Sequence, residues 1–275
     1  MISIVMAYKD RRQQIIHTLN SIEAQGRNDV EVIAVDDCST EAEAIEDLTG
    51  IYGFLKVVKL TEKKYKNPCV AYNIGFSHAE GDVIIIQNPE CVHVGSLISA
   101  ASQHVTDDNY LSFACYAITD RGHSEVFANI VKNDDESKAK NIVASLPQQG
   151  VGHGGIGCWY NHSIYSPRHF HFTTAITRLN LEDLCGFDER FAKGMDFDDD
   201  DLLMRVRKKG LQVTPIDSPF SVHLWHPSPY SEFLVDGKIV SWQEMSVRNH
   251  VQFLDSQNET GWRADRNEYY NPYGH

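Results

Sequence analysis

The densest group of potentially reactive side chains in this sequence is acidic. Asp196 and the run 198–201 place five carboxylates within six residues, shortly after the segment Gly-Phe-Asp-Glu at 186–189. Like charges at such short spacing repel one another. A chain tolerates this repulsion when the acids begin a helix, bind a cation or handle a proton. The residue types alone leave these three uses open.

A helix is predicted directly behind the first acids. From 199 to 209 apolar residues recur at helical spacing, basic residues are concentrated towards the end, and Gly210 closes the segment. Acids in the first turn and bases in the last suit the helix dipole, at roughly 0.3–1 kcal/mol each. Capping explains one or two of the acids, but four consecutive aspartates repel one another and offset that gain.

Cation binding and proton transfer are the chemical alternatives for the acidic run. The Asp-x-Asp-x-Asp-Gly spacing of a calcium loop, with its distal Glu, is absent. A carboxylate fixed at a helix start can accept a proton from a hydroxyl group within hydrogen-bond reach. Neighbouring acids raise its proton affinity, which suits a general base.

The elements that must position these acids begin with an alternating first hundred residues. Short apolar runs predict buried strands at 2–7, 30–35, 55–60 and 83–86, with helices between them. Such alternation indicates parallel strands joined by crossover helices. Ligands of open α/β sheets lie at the carboxyl ends of the strands. The side chains at those ends are Tyr8, Asp36, Asp37, Asn88 and Glu90.

The rest of the chain is predicted to complete one large domain. We expect two halves, at 1–100 and at 101–230, and an extension at 231–275 that packs on the domain. A glycine-rich loop at 150–157 precedes Trp159 and Tyr160. These two aromatic residues could stack on a ring of a ligand, and ordinary core packing is the alternative.

Composition narrows the class of protein further. The chain has 275 residues and a net charge of −13, so electrostatic attraction to nucleic acid is missing. No run approaches the roughly 20 apolar residues of a membrane span. The six cysteines are scattered without a C-x-x-C pair, which favours buried thiols in a reducing compartment. We therefore expect a cytoplasmic protein, with peripheral attachment to a membrane left open.

Four blocks, in order and at plausible spacing over residues 1 to about 226, carry a family resemblance. They are Ser-Ile-Val-Met-Ala-Tyr-Lys at 3–9, Val-Asp-Asp-Cys-Ser-Thr at 35–40, Ala-Tyr-Asn-Ile-Gly at 71–75 with the strand 81–86, and Gly-Phe-Asp-Glu-Arg-Phe at 186–191 with 198–202. Together they resemble the inverting glycosyltransferases of family 2, which have the GT-A fold. The acidic run also resembles the Glu-Asp-Asp-Asp of galactosyltransferases.

The resemblance implies a role for each matching position. Tyr8 would pack beside the nucleotide base, and Asp37 would hydrogen-bond that base, most often uracil. The implied nucleotide-binding residues are Ala7, Tyr8, Lys9, Asp36, Asp37 and Asn88. Asp199 takes the position of the catalytic base, which deprotonates the acceptor hydroxyl as it attacks the anomeric carbon. Asp198 would help bind the acceptor, and the rings of Trp159 and Tyr160 could stack on its sugar. The resemblance also makes 1–100 the nucleotide-binding half and 101–230 the acceptor-binding and catalytic half.

The metal motif departs from the family pattern. Where the family has Asp-x-Asp, this chain has Asn88-Pro89-Glu90, which keeps a carboxylate only at the second position. His223 lies 24 residues after Asp199 (223 − 199), a spacing similar to that of related polymerases, and His226 follows it. We expect Mn²⁺, with Mg²⁺ as the alternative, bound by Glu90 and by His223 or His226.

A second departure concerns positive charge near the diphosphate. The family often has Arg where this chain has Tyr72. Lys9, Arg178 or a loop residue are the alternatives that could supply the missing charge.

The pattern as a whole predicts an inverting glycosyltransferase that moves a sugar from a nucleotide-diphosphate sugar, a UDP-sugar above all, to the hydroxyl of a saccharide or another acceptor. A non-catalytic relative that binds nucleotide-sugars or carbohydrates is one alternative. A nucleotidyltransferase is the other, although the Gly-rich entry loop of that class is missing after the first strand.

Overall fold

The computed structural model of this chain describes residues 1–132, 136–227, 232–235, 238–264, 266–270 and 272. The strands are β1 (Ile2–Tyr8), β2 (Val30–Asp36), β3 (Leu55–Lys59), β4 (Val83–Gln87), β5 (Cys91–Val94), β6 (Asn109–Ile118), β7 (Gly157–Asn161), β8 (Thr173–Thr177), β9 (Gln212–His223), β10 (Glu232–Val235) and β11 (Lys238–Ser241). The helices are α1 (Arg12–Glu23), α2 (Cys69–Ser77), α3 (Leu97–His104), α4 (Arg121–Lys132), α5 (Glu136–Ser145), α6 (Arg178–Leu184), α7 (Asp198–Lys208) and α8 (Trp242–Gln257). Short 3₁₀ turns lie at Glu41–Glu43, Glu46–Gly50 and Glu189–Phe191.

Within the described residues, nine strands form one mixed sheet in the order β3-β2-β1-β4-β8-β6-β9-β5, with β7 added beside β6. The first four strands in this order are parallel, and β6 is parallel to β9. Strand β8 runs antiparallel to both of its neighbours. The predicted α/β class with a mostly parallel sheet is therefore confirmed, and the four strands predicted among the first hundred residues are β1 to β4.

Helices cover both faces of the parallel strands. Val5 lies in an apolar cluster with residues of α2 and α7, whereas Ile4 and Met6 lie in a second cluster with residues of α1 and α3. Burial on both faces explains why β1 reads as a continuous apolar run. Helix α2 lies so close to β1 that a Cβ on Gly75 would be 2.4 Å from Cγ1 of Val5. These close contacts fix the strand ends that carry the candidate site.

Helix α8, which follows α7 in the chain, packs against it. It begins with a capping box, in which Ser241 and Glu244 each bond the other's backbone N–H. The Asn249 side chain then donates hydrogen bonds to the carbonyls of Phe191 and Asp196, at 3.0 and 2.9 Å. This helix thus holds the loop that leads into α7.

No helix in the described part of the chain is both long and apolar enough to cross a membrane. Five of the six cysteines are buried, and Cys38 is half-buried.

Candidate active site

A cavity of about 300 Å³ lies beyond the carboxyl ends of β1, β2 and β4. It brings together most of the residues singled out by sequence. They are Ala7, Tyr8, Lys9, Asp37, Asn88, Glu90, Asp198, Asp199, His223 and His226. The predicted residues Asp36, Trp159 and Tyr160 do not line this cavity.

The acidic run enters the cavity at the start of α7. Asp196 and Phe197 both have left-handed backbone conformations, with φ of 62° and 64°, so the chain turns sharply just before the helix. Asp198 is buried and accepts a hydrogen bond from Nδ2 of Asn67 at 2.8 Å. Asp199 is more open, with 23% of its side chain exposed. The two adjacent carboxylates therefore have different surroundings.

His171, in the segment just before β8, holds the side chain of Asp199. Its backbone N–H donates to Oδ1 of Asp199 at 2.8 Å, and its ring Nδ1 contacts the same oxygen. The ring packs against both Tyr72 and Phe187, with centroids 4.9 Å from each. Asp199 is thus fixed by two donors of one residue, and its carboxylate still faces the cavity.

Burial and mutual repulsion shift the pKa values in this cluster. Burial, reinforced by the charge of Asp199, raises the pKa of Asp198 to about 6. Burial alone would lower the pKa of the His171 imidazole, but the Asp199 carboxylate outweighs it and the pKa is raised. Burial and then Asp199 also raise the pKa of Asp200. The pKa values of Asp198, Asp200 and His171 are therefore all raised in this cluster.

The remaining acid of the run is structural. Asp201 is fully buried and pairs with Nε of Arg205 at 2.7 Å. Nη1 of Arg205 donates hydrogen bonds to the carbonyls of Leu184 and Gly186, at 2.9 and 3.0 Å. This pair ties α7 to the turn that follows α6.

A second polar cluster forms where β5 meets β9. Cys91 pairs with His223 across these strands, so Glu90 lies next to the last residue of β9. Nε2 of His223 is 3.0 Å from Oε1 of Glu90, and Nε2 of His226 is 3.7 Å from the same oxygen. Nη1 of Arg11 donates to the other carboxylate oxygen at 2.7 Å.

This cluster fits a divalent cation. Burial by itself would raise the pKa of Glu90, but the charge of Arg11 and the hydrogen bond from His223 hold it well below its usual range. Glu90 therefore stays anionic, and ligand atoms of Glu90, His223 and His226 lie within 4.8 Å of one another. One carboxylate with two imidazoles is a donor set that suits Mn²⁺ better than Mg²⁺. Asn88 supports the set, since its Nδ2 lies 3.3 Å from Oε1 of Glu90.

The other end of the cavity is formed by the turns after β1 and β2. Tyr8 is buried, and its hydroxyl donates to the carbonyl of Glu43 at 2.5 Å. Asp37 is also buried and pairs with Lys63. Asp36 does not line the cavity, and its Oδ1 instead accepts the backbone N–H of Ser39 at 2.9 Å. It stabilises the turn that presents Asp37.

Several cations that the sequence did not single out line the same cavity. They are Arg11, Lys63 and Lys66. Of the candidates proposed to replace the missing arginine, Lys9 lies at the cavity, whereas Arg178 lies elsewhere and pairs with Glu182 at 3.4 Å. Tyr72 at the altered position is buried and donates to Oδ1 of Asn88 at 3.0 Å.

The two aromatic residues predicted to bind an acceptor have different positions. Trp159 lies in an apolar cluster, and its Nε1 donates to Oε1 of Gln148 at 3.0 Å. The ring of Tyr160 stands 5.1 Å from that of His223. Trp159 therefore packs in the core, and Tyr160 supports one of the candidate metal ligands from behind.

A model of glycosyl transferase family 2 matches residues 3–164, more than half of the chain, so this protein belongs to that family. The matched segment contains β1 to β7 and ends before α7. No curated protein matches the sequence.

Solved structures support the same fold. TarS 1-349 from S. aureus in complex with UDP-GlcNAc has a TM-score of 0.61 at 16% identity, covering 94% of this chain and 68% of its own. The mannosyltransferase PcManGT from Pyrobaculum calidifontis, in complex with GDP-Man and Mn²⁺, has a TM-score of 0.54 at 17% identity. That match covers 84% of this chain, which spans only 58% of the mannosyltransferase. The predicted GT-A fold is confirmed.

Proposed function

We propose that this protein is an inverting glycosyltransferase that moves a sugar from a nucleotide-diphosphate sugar, a UDP-sugar in our assignment, to an acceptor hydroxyl. One observation carries the proposal. A single cavity joins Asp199, held by His171, to the buried Asp37 and to the Glu90 cluster. This reaction needs a general base, a carboxylate that recognises the nucleotide's base, and a cation site. Here these three groups lie together.

We assign the nucleotide to the end of the cavity formed by Tyr8 and Asp37, within the donor half at 1–100. Asp37 can accept a hydrogen bond from the N–H of a uracil. The cations Arg11 and Lys66 line the same cavity and suit the charge of a diphosphate. This arrangement accounts for a diphosphate site without an arginine at position 72.

Glu90, His223 and His226 would hold the divalent cation, with Mn²⁺ preferred to Mg²⁺. When bound, such an ion offsets negative charge on a departing diphosphate. The protein's own part is to keep Glu90 ionised through Arg11 and to orient the two imidazoles.

In the chemical step, Asp199 takes the proton of the acceptor hydroxyl. The acceptor oxygen forms its bond to the anomeric carbon as the bond from that carbon to the diphosphate oxygen breaks. Attack from the face opposite the leaving group inverts the configuration. His171 keeps the carboxylate oriented, and orientation of this kind provides much of the rate enhancement. We place the acceptor in the half at 101–230, with Asp198 beside it.

The test separates transfer from binding. Asp199→Asn should abolish release of UDP and transfer from a UDP-sugar, while titration calorimetry with UDP and Mn²⁺ gives wild-type affinity. Asp82→Asn, an exposed carboxylate on the opposite end of β4, is the control. Near-normal turnover of Asp199→Asn would remove Asp199 from the mechanism. Tight UDP binding by the wild type without any release or transfer would favour a non-catalytic binding protein.

The metal assignment has its own test. His223→Ala should weaken UDP binding in the presence of Mn²⁺ and leave metal-free binding unchanged. His93→Ala is a control at a buried imidazole outside the cavity, where Gln87 and Gln25 are its partners. If Mn²⁺ has no effect on the UDP affinity of the wild type, the cluster is not a cofactor site.

A further inference from the structure

A second cavity, of about 890 Å³, lies beside the candidate active site and is strongly basic. Seven lysines and arginines line it, against two glutamates. The cations come from the segment 63–66, from the segment 190–193, from α8 and from the residues after it. In a chain of net charge −13, such a concentration of positive charge is unusual.

Only part of this charge is neutralised within the protein. Lys63 pairs with Asp37, Lys64 pairs with Glu62, and Arg190 pairs with Asp188 and Glu259. Across the described ranges, no ion pair involves Lys193 or Arg248, and both side chains are exposed. Of the two glutamates, Glu189 accepts hydrogen bonds from the side chain of Asn73 and from the backbone N–H groups of Glu268 and Tyr269. The cavity therefore presents a net positive surface.

The basic cavity and the candidate active site share a wall. Lys63 and Lys66 line both cavities. The backbone N–H groups of Lys66 and Asn67 donate to the carbonyl of Ala192, at 2.8 and 3.1 Å, and the Asn67 side chain bonds Asp198. A ligand that places a hydroxyl at Asp199 can therefore extend over this wall into the basic cavity.

We propose that the acceptor is an anionic saccharide or polyol, whose carboxylates or phosphates bind in the basic cavity while one hydroxyl reaches Asp199. This proposal rests on the proposed function. The site is concave and includes Tyr65 and Tyr269, whose rings offer apolar faces to a sugar or polyol chain. A concave cavity of this volume suits a ligand that enters it better than a flat membrane surface, to which exposed cations would otherwise bind.

Binding of labelled oligomers tests the proposal directly. The probes are a fluorescein-labelled heptagalacturonide, a labelled heptamer of glycerol phosphate, and labelled maltoheptaose as the neutral control. Fluorescence anisotropy should show at least one anionic probe binding about tenfold or more tighter than maltoheptaose, with an advantage that shrinks at high salt. The preferred anionic probe then identifies the carboxylate or the phosphate as the ligand chemistry.

Charge-neutralising variants locate the binding. Lys193→Gln/Arg248→Gln should bind the preferred probe on the order of tenfold more weakly, because two of the unpaired cations are lost. Lys138→Gln/Lys140→Gln on α5 removes the same charge elsewhere and should stay within twofold of wild type. UDP affinity, measured on the same samples, should not change in either variant.

Three outcomes would overturn the proposal. They are equal affinity for neutral and anionic probes, no loss in Lys193→Gln/Arg248→Gln, and binding only to phosphatidylcholine–phosphatidylglycerol vesicles, which would assign the cations to a membrane surface. The donor measurement separates this proposal from the proposed function. If the wild type binds the anionic probe but not UDP, the donor assignment fails and an anion-binding cavity remains.

Discussion

Asp198 and Asp199 are neighbours in sequence but have opposite surroundings. Asp198 is buried and meets an amide donor, while Asp199 faces the cavity and is held by an imidazole and a backbone N–H. A pKa near 6 allows Asp198 to carry a proton close to neutral pH. Below about pH 6 protonation of Asp198 relieves the repulsion within the pair, and above that pH the fold carries both charges at a cost in stability.

His171 offers a test of how Asp199 is oriented. His171→Phe keeps a ring packed against Tyr72 and Phe187 but removes the Nδ1 contact with Asp199. We expect kcat for transfer to fall by about ten- to a hundredfold, since a loosely held base is seldom aligned, with UDP affinity unchanged. His169→Asn, which suits the left-handed backbone of that position, is the control. Wild-type kcat in His171→Phe would show that the contact does not orient the base.

We expect the effect of replacing Asp198 on the free energy of unfolding to depend on pH. Because its pKa is raised in the folded state from 3.8 to about 6, ionising it above pH 6 destabilises the fold. Asp198→Asn should therefore increase the free energy of unfolding at pH 8 by on the order of 2 kcal/mol. The gain should shrink as pH falls through about 6 and vanish below 3.8.

Urea unfolding at pH 5, 6, 7 and 8 measures this dependence. Asp108→Asn, an exposed carboxylate, is the matched control and should change little at any pH. A gain for Asp198→Asn that is the same at pH 5 and pH 8 would contradict a raised pKa at this position.

At the scale of elements, sequence periodicity predicted the helices and strands whose formation depends on residues close in sequence. The predicted helix at 199–209 differs from α7 by one residue at each end, and β1 to β4 each match within a residue. These elements are set by local apolar spacing, which the sequence displays. The site residues at the ends of β1, β2 and β4 followed from the same reasoning.

Contacts that depend on strand order could not be predicted in this way. His171 precedes β8, and β8 lies antiparallel beside β4, so the residue meets the cavity only because of that insertion. No spacing in the sequence links His171 to Asp199, 28 residues away. For Trp159 the sequence left a ligand platform and core packing open, because an aromatic residue in a strand packs in a core or faces a ligand according to which side is covered, and it packs in an apolar cluster.

The Asp201–Arg205 pair predicts the stability of α7. Arg205→Met leaves Asp201 buried without its partner and should destabilise the fold by about 3–5 kcal/mol, as breaking such pairs does. Asp201→Leu/Arg205→Met removes both charges and should recover part of that loss. The free energies of unfolding of the two variants are measured in urea and compared. A double variant no more stable than Arg205→Met would show that the unpaired Asp201 charge is not the main loss, because both variants lack the carbonyl contacts of Arg205.

At the scale of the whole molecule, the C-terminal helix determines the position of the catalytic candidate. Asn249 on α8 bonds the carbonyls on either side of the loop that precedes α7, and Ser246 donates to Asp196 at 2.8 Å. Gly194 lies so close to this helix that a Cβ there would be 2.0 Å from Oδ1 of Asn249. Residues far from the nucleotide end thus set where Asp199 enters the cavity.

Asn249→Ala tests this coupling between α8 and the cavity. It removes one buried and one partly buried hydrogen bond to loop carbonyls, at about 1–3 kcal/mol of stability each. The loop before α7 should loosen, so we expect kcat for transfer to fall about tenfold while UDP affinity stays within twofold. Val251→Ala, an exposed position on the same helix, is the control for helix stability. If Asn249→Ala lowers the melting temperature but retains wild-type kcat, α8 stabilises the fold without orienting Asp199.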